Sequence, residues 1–240
     1  MSILQDAGIT DVYHYTPLHY LPLIARVRAL LSKPLIRARG FAEDHFRSMS
    51  HRHDIARGFG SYAFLTLHPA PPILKAKLSA GFPHICIRIP VAAVDRVPFD
   101  LCRFNVAMTR RLRRNGKTGF PESATNGRYY GDLEIPIARS SSDKAAMLAR
   151  YAGSEAMIEV LIPGELHLPD DTSILCFSQQ DHDLAADILS AHQLKWRLTL
   201  LGPPCQYVRR ASYASSVEKF VAKALASTSW SGDGLEFDRV

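Results

Sequence analysis

The chain has 240 residues, 47% of them hydrophobic and 22% charged, and a formal net charge of +6. This is an ordinary globular composition for one large domain or one domain with an appendage. No run approaches the roughly 20 apolar residues of a membrane span, and the N-terminus lacks the pattern of a signal peptide. We therefore expect a cytoplasmic protein that does not enter a membrane.

The predicted strands and helices are interleaved along the chain, without a regular βαβ alternation. Strands are predicted over 11–16, 61–67, 84–89, 157–162, 173–178 and 194–200, and helices over 18–31, 43–57, 73–80, 143–151, 181–192 and 213–227. Residues 32–42 and 115–142 are predicted to be loops, the second one long. The sequence thus predicts an α+β fold with a domain over 1–200 and a C-terminal helical appendage with a polar tail over 201–240.

The sequence lacks the motifs of several common nucleotide-binding, disulfide and metal sites. Neither GxGxxG nor GxxxxGK[ST] occurs, which argues against Rossmann and P-loop nucleotide binding. The four cysteines show neither CxxC spacing nor a disulfide framework, and reduced thiols fit better. His51 and His53 form an HxH pair without further ligands at suitable spacing, so we expect no metal site.

Glu159 is an acid in the apolar, β-branched run Met157–Pro163. Burying a carboxylate without a partner is costly. It therefore either points outward from an edge strand or lines a cleft between strands. A second polar group, His14 and Thr16, shares one face of the predicted first strand because strand side chains alternate. Together these residues indicate a ligand-binding cleft, although His14 considered alone could equally bond to backbone.

Cationic side chains occur in two regions that could bind phosphate groups. Arg57 or Arg52 could clamp a pyrophosphate with a planar fork of donors, or lie on a solvated helix face. Residues 103–117 carry six cations and no acid, and the following loop adds aromatic residues. Cations mixed with aromatic rings suit a single-stranded nucleic acid. The residues proposed to bind it are Arg110, Arg111, Arg113, Arg114, Arg128, Tyr129 and Tyr130, with a solvated helix end as the alternative for the arginines.

In order and spacing, these motifs resemble the DarT toxins, which are nucleic-acid ADP-ribosyltransferases. The resemblance lies in Val12–Thr16, in Tyr62–Leu74 with its proline-rich turn, and in Ala156–Ile162, with a fainter element at Phe104–Ala107. It covers about residues 10–190. It implies an ADP-ribosyltransferase-like split mixed sheet with flanking helices, as in poly(ADP-ribose) polymerases.

The resemblance also implies roles for single residues. Glu159 would be the catalytic residue, and NAD would be the co-substrate. The residues implied to bind NAD are His14, Thr16, Arg57 or Arg52, Tyr62 and Leu65. The expected reaction is ADP-ribosyl transfer to a base of single-stranded DNA by a toxin of a toxin–antitoxin or phage-defence system, with an antitoxin as partner.

Three other functions remain open from the sequence. The target could be RNA, because no reader of the 2′-hydroxyl is identifiable. It could be a protein, although Met157 stands where arginine-modifying enzymes carry a second acid or Gln. The chain could also be a basic nucleic-acid-binding module without catalysis.

Overall fold

The computed structural model describes residues 2–39, 58–103, 137–150, 158–203, 205–209 and 211–226. A 3-10 turn spans Leu18–Tyr20, and the helices are α1 (Ile3–Asp6), α2 (Leu21–Val27), α3 (Lys33–Ala38), α4 (Pro72–Ser79), α5 (Val91–Val94), α6 (Ser141–Arg150), α7 (Gln179–Ala191) and α8 (Ala211–Ala226). The strands are β1 (Asp11–Pro17), β2 (Ala29–Leu31), β3 (Tyr62–Thr66), β4 (His84–Pro90), β5 (Asp100–Cys102), β6 (Ile137–Ala138), β7 (Glu159–Pro163), β8 (Glu165–His167), β9 (Ser173–Cys176) and β10 (Arg197–Leu200).

Eight of these strands form one mixed sheet in the order β10-β9-β4-β1-β3-β7-β5-β6. Neighbouring strands are antiparallel except β9 and β10, which are parallel and joined through α7. A parallel pair needs such a crossover, because its strands run in the same direction. The predicted α+β class is confirmed.

The sheet is weakly joined at its middle. β1 is in register with β4 from Asp11 opposite Pro90 to Pro17 opposite His84, but its register with β3 consists of one pair, Tyr13 and Thr66. The β10-β9-β4-β1 half and the β3-β7-β5-β6 half therefore meet along a short seam. We call this seam the β1–β3 junction.

The two faces of the sheet bury different clusters. The main core lies on the face of Val12, Ile87 and Val160, where α2, α7 and α8 cover it. On the other face, α4 contributes Leu74 and Leu78 to a smaller cluster with Cys86. This division follows the period of two in the strand sequences, which sends alternate side chains to opposite faces.

Two N-terminal predictions are wrong. The helix predicted over 18–31 is a 3-10 turn, the helix α2 and the strand β2, because Arg28 adopts a left-handed conformation (φ 52°) that ends α2. β2 then pairs with β8, far along the chain. The loop predicted over 32–42 contains α3, which begins after Ser32 with a proline in its first turn, a position that proline favours.

The other elements that fall in the described ranges are found close to their predicted bounds. The end of the predicted 115–142 loop is an exception, because it contains β6 and the start of α6. Ser140 caps that helix by accepting a 3.1 Å hydrogen bond from the Asp143 backbone N–H, a common helix start. The predicted helix over 43–57 lies outside the described residues.

The described part of the C-terminal segment packs against the sheet-bearing body. Val217 and Val221 of α8 belong to the main core. The buried carboxylate of Asp181 at the start of α7 accepts a 2.9 Å hydrogen bond from the Tyr207 hydroxyl and lies 3.2 Å from Nε of Arg209. A boundary at residue 200 stays a prediction.

Candidate active site

Glu159 is the first residue of β7 and is 5% exposed. Its Cα lies opposite Thr66 of β3 and opposite Cys102 of β5. Thr66 in turn lies opposite Tyr13, at the β1–β3 junction. Residues directly opposite in a sheet project to the same face. The carboxylate is therefore held by a central strand, on neither edge of the sheet and one strand away from the junction.

His14 bridges that junction. Its Nδ1 lies 2.8 Å from the carbonyl oxygen of Phe64 on β3. A carbonyl oxygen only accepts, so Nδ1 carries the proton in this bond. Burial lowers the pKa of His14, partly opposed by this hydrogen bond. The neutral ring then leaves Nε2 as a hydrogen-bond acceptor, suited to a hydroxyl or amide N–H of a ligand.

Two threonines lie near the junction on opposite faces of the sheet: Thr16 shares the face of His14, whereas Thr66 is paired with Tyr13 and with Glu159. Thr16, two residues beyond His14 on β1, is 2% exposed. Thr66 donates its hydroxyl hydrogen to the carbonyl of His68 at 2.9 Å, which ties the end of β3 to the following turn. The strand end beside Glu159 is thereby braced by a side chain, and rigid support of this kind favours precise catalytic geometry.

Tyr15 is a residue near the site that the sequence did not single out. Burial raises the pKa of its phenol, and the negative charge of Glu159 raises it further. Tyr15 therefore stays protonated and lies within electrostatic range of the carboxylate. Alternation groups Tyr15 with Tyr13, but the sequence carries no signal for the register that brings both towards Glu159.

Tyr62 lies at the other end of β3 from the residue paired with Glu159, and the Leu65 side chain projects to the opposite face of the sheet from Glu159. Tyr62 lies opposite Pro163, four residues from Thr66 along β3, and its ring centroid is 5.6 Å from that of Phe59. Leu65 is fully buried in the main core, so any contact between this residue and a ligand has to come from its backbone. Their roles in binding a cofactor stay predictions.

The remaining predicted residues lie outside the described part of the chain. These are Arg52 and Arg57, the fainter element at Phe104–Ala107, and the nucleic-acid set Arg110, Arg111, Arg113, Arg114, Arg128, Tyr129 and Tyr130. The described residues on either side of the 104–136 segment show which strands flank it. Cys102 of β5 lies opposite both Glu159 of β7 and Ile137 of β6. The segment is therefore flanked by β5, which pairs with β7, and by β6, which lies one strand further out.

Within the described ranges, no group of three or more His, Cys, Asp or Glu side chains could hold a metal ion. No helix in this part of the chain is long and apolar enough to cross a membrane. The described residues of the candidate site are the acid Glu159 at the start of β7, the neutral imidazole of His14 on β1 and the hydroxyls of Thr16 and Thr66. This set can stabilise a developing positive charge and accept a proton.

Searches against protein-family models and against curated proteins found no match. Solved structures do match. A DarT from Thermus sp. 2.9 in complex with ADP-ribosylated single-stranded DNA aligns with a TM-score of 0.55 and 15% identity, over 81% of this chain and 95% of that one.

The same Thermus protein in complex with NAD+ aligns with a TM-score of 0.52 and 15% identity, over 80% of this chain and 96% of that one. Its complex with carba-NAD+ gives a TM-score of 0.52 and 15% identity, over 80% and 95%. The likeness spans nearly the whole of the Thermus chain. The protein therefore has a DarT-like ADP-ribosyltransferase fold.

Proposed function

We propose that this protein is an NAD-dependent ADP-ribosyltransferase that transfers ADP-ribose to a base of single-stranded DNA and releases nicotinamide. The observation that carries the proposal is the position of Glu159. It is buried at the start of a central strand, next to the junction that His14 bridges. The same fold occurs in structures bound to NAD+ and to ADP-ribosylated single-stranded DNA.

The reaction needs a negative charge near the nicotinamide-side ribose. As the bond from C1′ to the nicotinamide nitrogen breaks, nicotinamide leaves with the electron pair and the ribose gains oxocarbenium character. The Glu159 carboxylate stabilises that cation. A ring or amino nitrogen of the base then bonds to C1′, and Glu159 accepts the proton that the nitrogen loses.

NAD would be held by residues on both sides of the β1–β3 junction. Nε2 of neutral His14 accepts a hydrogen bond from a ribose hydroxyl or from the carboxamide N–H, and Thr16 supplies a hydroxyl beside it. Tyr62, Leu65 and one of Arg57 and Arg52 complete the set taken from the family resemblance, with an arginine on the diphosphate. Arginine suits this role because its planar fork of donors matches phosphate oxygens.

The DNA would contact the segment between β5 and β6. It contains the cations and aromatic side chains that suit phosphates and unstacked bases. It is flanked by β5, whose Cys102 lies opposite Glu159, and by β6 on the far side of β5. We propose that a base bound by this segment is presented to the Glu159 carboxylate. Uncontrolled modification of DNA is toxic, so we propose an antitoxin as the biological partner.

The test is transfer of label from adenylate-labelled NAD to single-stranded DNA, single-stranded RNA and a protein lysate offered in parallel. Glu159→Gln removes the charge at nearly constant volume, and Asp171→Asn removes an exposed carboxylate as the matched control. We expect label on DNA with the wild type and Asp171→Asn. With Glu159→Gln we expect a loss of at least about 100-fold, the lower end of the effect of a general base.

Each other outcome assigns a different function. Label on RNA or on protein that depends on Glu159 would keep the enzyme class and replace the target. Label that is undiminished in Glu159→Gln would refute the catalytic role. No label on any acceptor, together with no thermal shift on adding NAD, would indicate a binding module, because a ligand at 100 times its Kd stabilises a protein by about 2.7 kcal/mol.

A further inference from the structure

Lys77 lies in the last turn of α4, where the chain turns back into the sheet. Gly81 adopts a left-handed conformation (φ 81°), and its N–H donates to the carbonyl of Leu78 at 2.8 Å. The N–H of Phe82 donates to the carbonyl of Lys77 at 3.2 Å. This pair of bonds is a Schellman motif. Phe82 thereby links the half-buried Lys77 to His84, the first residue of β4, because its N–H bonds to Lys77 and its carbonyl oxygen to His84.

His84 is 3% exposed and has one unused polar atom. Its Nδ1 donates to the carbonyl of Phe82 at 3.2 Å, whereas its Nε2 is buried and has no hydrogen-bond partner. Burial, and next the charge of Lys77, lowers the pKa of His84 to about 3. The ring is therefore neutral, and Nε2 is an acceptor without a donor. Such an atom is unusual in a protein interior.

The charged groups that act on His84 and on the nearby His14 are basic side chains. His19 also lowers the pKa of His84, and Lys33 and Lys77 both lower the pKa of His14. Burial lowers the pKa of Lys77 itself. Among the described residues, no carboxylate forms an ion pair with Lys77. A half-buried ammonium without a carboxylate partner is a position where a bound anion is favourable.

This group lies within a dinucleotide's length of the candidate NAD-binding residues. His84 lies opposite Pro17, three residues beyond His14 on β1, which is roughly 10 Å along a strand. The effect of Lys77 on His14 shows that the two side chains are within electrostatic range. A dinucleotide supplies both missing partners, namely phosphate oxygens for the ammonium and ribose hydroxyl donors for Nε2.

We propose that Lys77 is a phosphate-binding residue of the NAD site and pairs with the diphosphate, while Nε2 of His84 accepts a hydrogen bond from an adjoining ribose hydroxyl. The inference rests on the proposed function, because it takes NAD as the ligand. It adds a cation on the α4 side of the sheet to the arginine expected from the 43–57 region. The half-buried position favours a small phosphate ligand over a nucleic-acid backbone, which tracks an exposed surface.

The test measures NAD binding by calorimetry in the Glu159→Gln background, which prevents turnover. Lys77→Met should raise the Kd at least about tenfold, as expected for the loss of one charge-assisted contact, and Lys77→Arg should restore most of the affinity. Lys75→Met is the matched control, because it removes an exposed lysine from the same helix. We expect this control to leave the Kd unchanged.

Salt dependence separates a phosphate contact from a structural role. The Kd for NAD should rise with salt less steeply in Lys77→Met than in its parent, because one screened ion pair is missing. Equal salt dependence, or an unchanged Kd, would overturn the inference. Loss of single-stranded DNA binding with an unchanged Kd for NAD would also overturn it, in favour of a DNA contact. If the parent itself binds no NAD, the proposed function fails as well.

Discussion

The pKa of His84 predicts a specific acid sensitivity of the fold. The histidine is buried, and burial together with Lys77 lowers its pKa from 6.5 to about 3. Because the folded-state pKa lies below the unfolded one, the unfolded chain binds more protons between these two values. The free energy of unfolding is therefore highest above pH 6.5, and it falls progressively as the pH falls below that value.

The size of the effect follows from the same shift. The free energy of unfolding should fall by at most about 1.4 kcal/mol per pH unit for this one group. At pH 4.5, two units below the ordinary value, the loss from His84 is therefore roughly 2–3 kcal/mol. That is a large share of the 5–15 kcal/mol by which most native proteins are stable.

The measurement compares denaturant unfolding of the wild type and His84→Gln at pH 7.5 and at pH 4.5. Glutamine keeps a donor for the Phe82 carbonyl but does not titrate. The variant is expected to be less stable at pH 7.5 and to lose roughly 2–3 kcal/mol less than the wild type on acidification. The control is His167→Gln, whose side chain is 80% exposed on β8. Parallel losses in wild type and His84→Gln would refute the reasoning.

Further variants test the packing and the site. Arg209→Met should lower the free energy of unfolding by about 3–5 kcal/mol, since it leaves the buried Asp181 carboxylate without its cation, and a loss below about 1 kcal/mol would contradict this. Tyr207→Phe removes one hydrogen bond from the same carboxylate and should cost about 1.5–3 kcal/mol in urea unfolding. Ile87→Ala in the fully buried centre of β4 should cost about 2–5 kcal/mol, and a near-neutral result would place Ile87 outside the core. His14→Ala should raise the Kd for NAD at least about tenfold in calorimetry, because it removes the hydrogen bond across the β1–β3 junction and the acceptor Nε2. An unchanged Kd would show that His14 does not bind NAD.

The local pattern of the sequence was sufficient to predict most of the longer strands and helices. Period-two alternation in Val12–Thr16 and the β-branched run at Glu159 predicted strands that the structure contains. Burial of one face forces such alternation, so the pattern and the strand have the same physical cause. The prediction failed at 18–31, because a left-handed residue and a pairing with β8 are not encoded in helical periodicity.

The sequence by itself determined the α+β class, the strand that carries Glu159 and the face shared by His14 and Thr16, because each depends on neighbouring residues. Only the tertiary structure decided that Tyr13, Thr66 and Glu159 share one register, that His14 bridges β1 and β3, and that Lys77 lies beside His84. These contacts join segments distant along the chain. Strand order and register depend on the packing of the whole sheet, which no local pattern specifies.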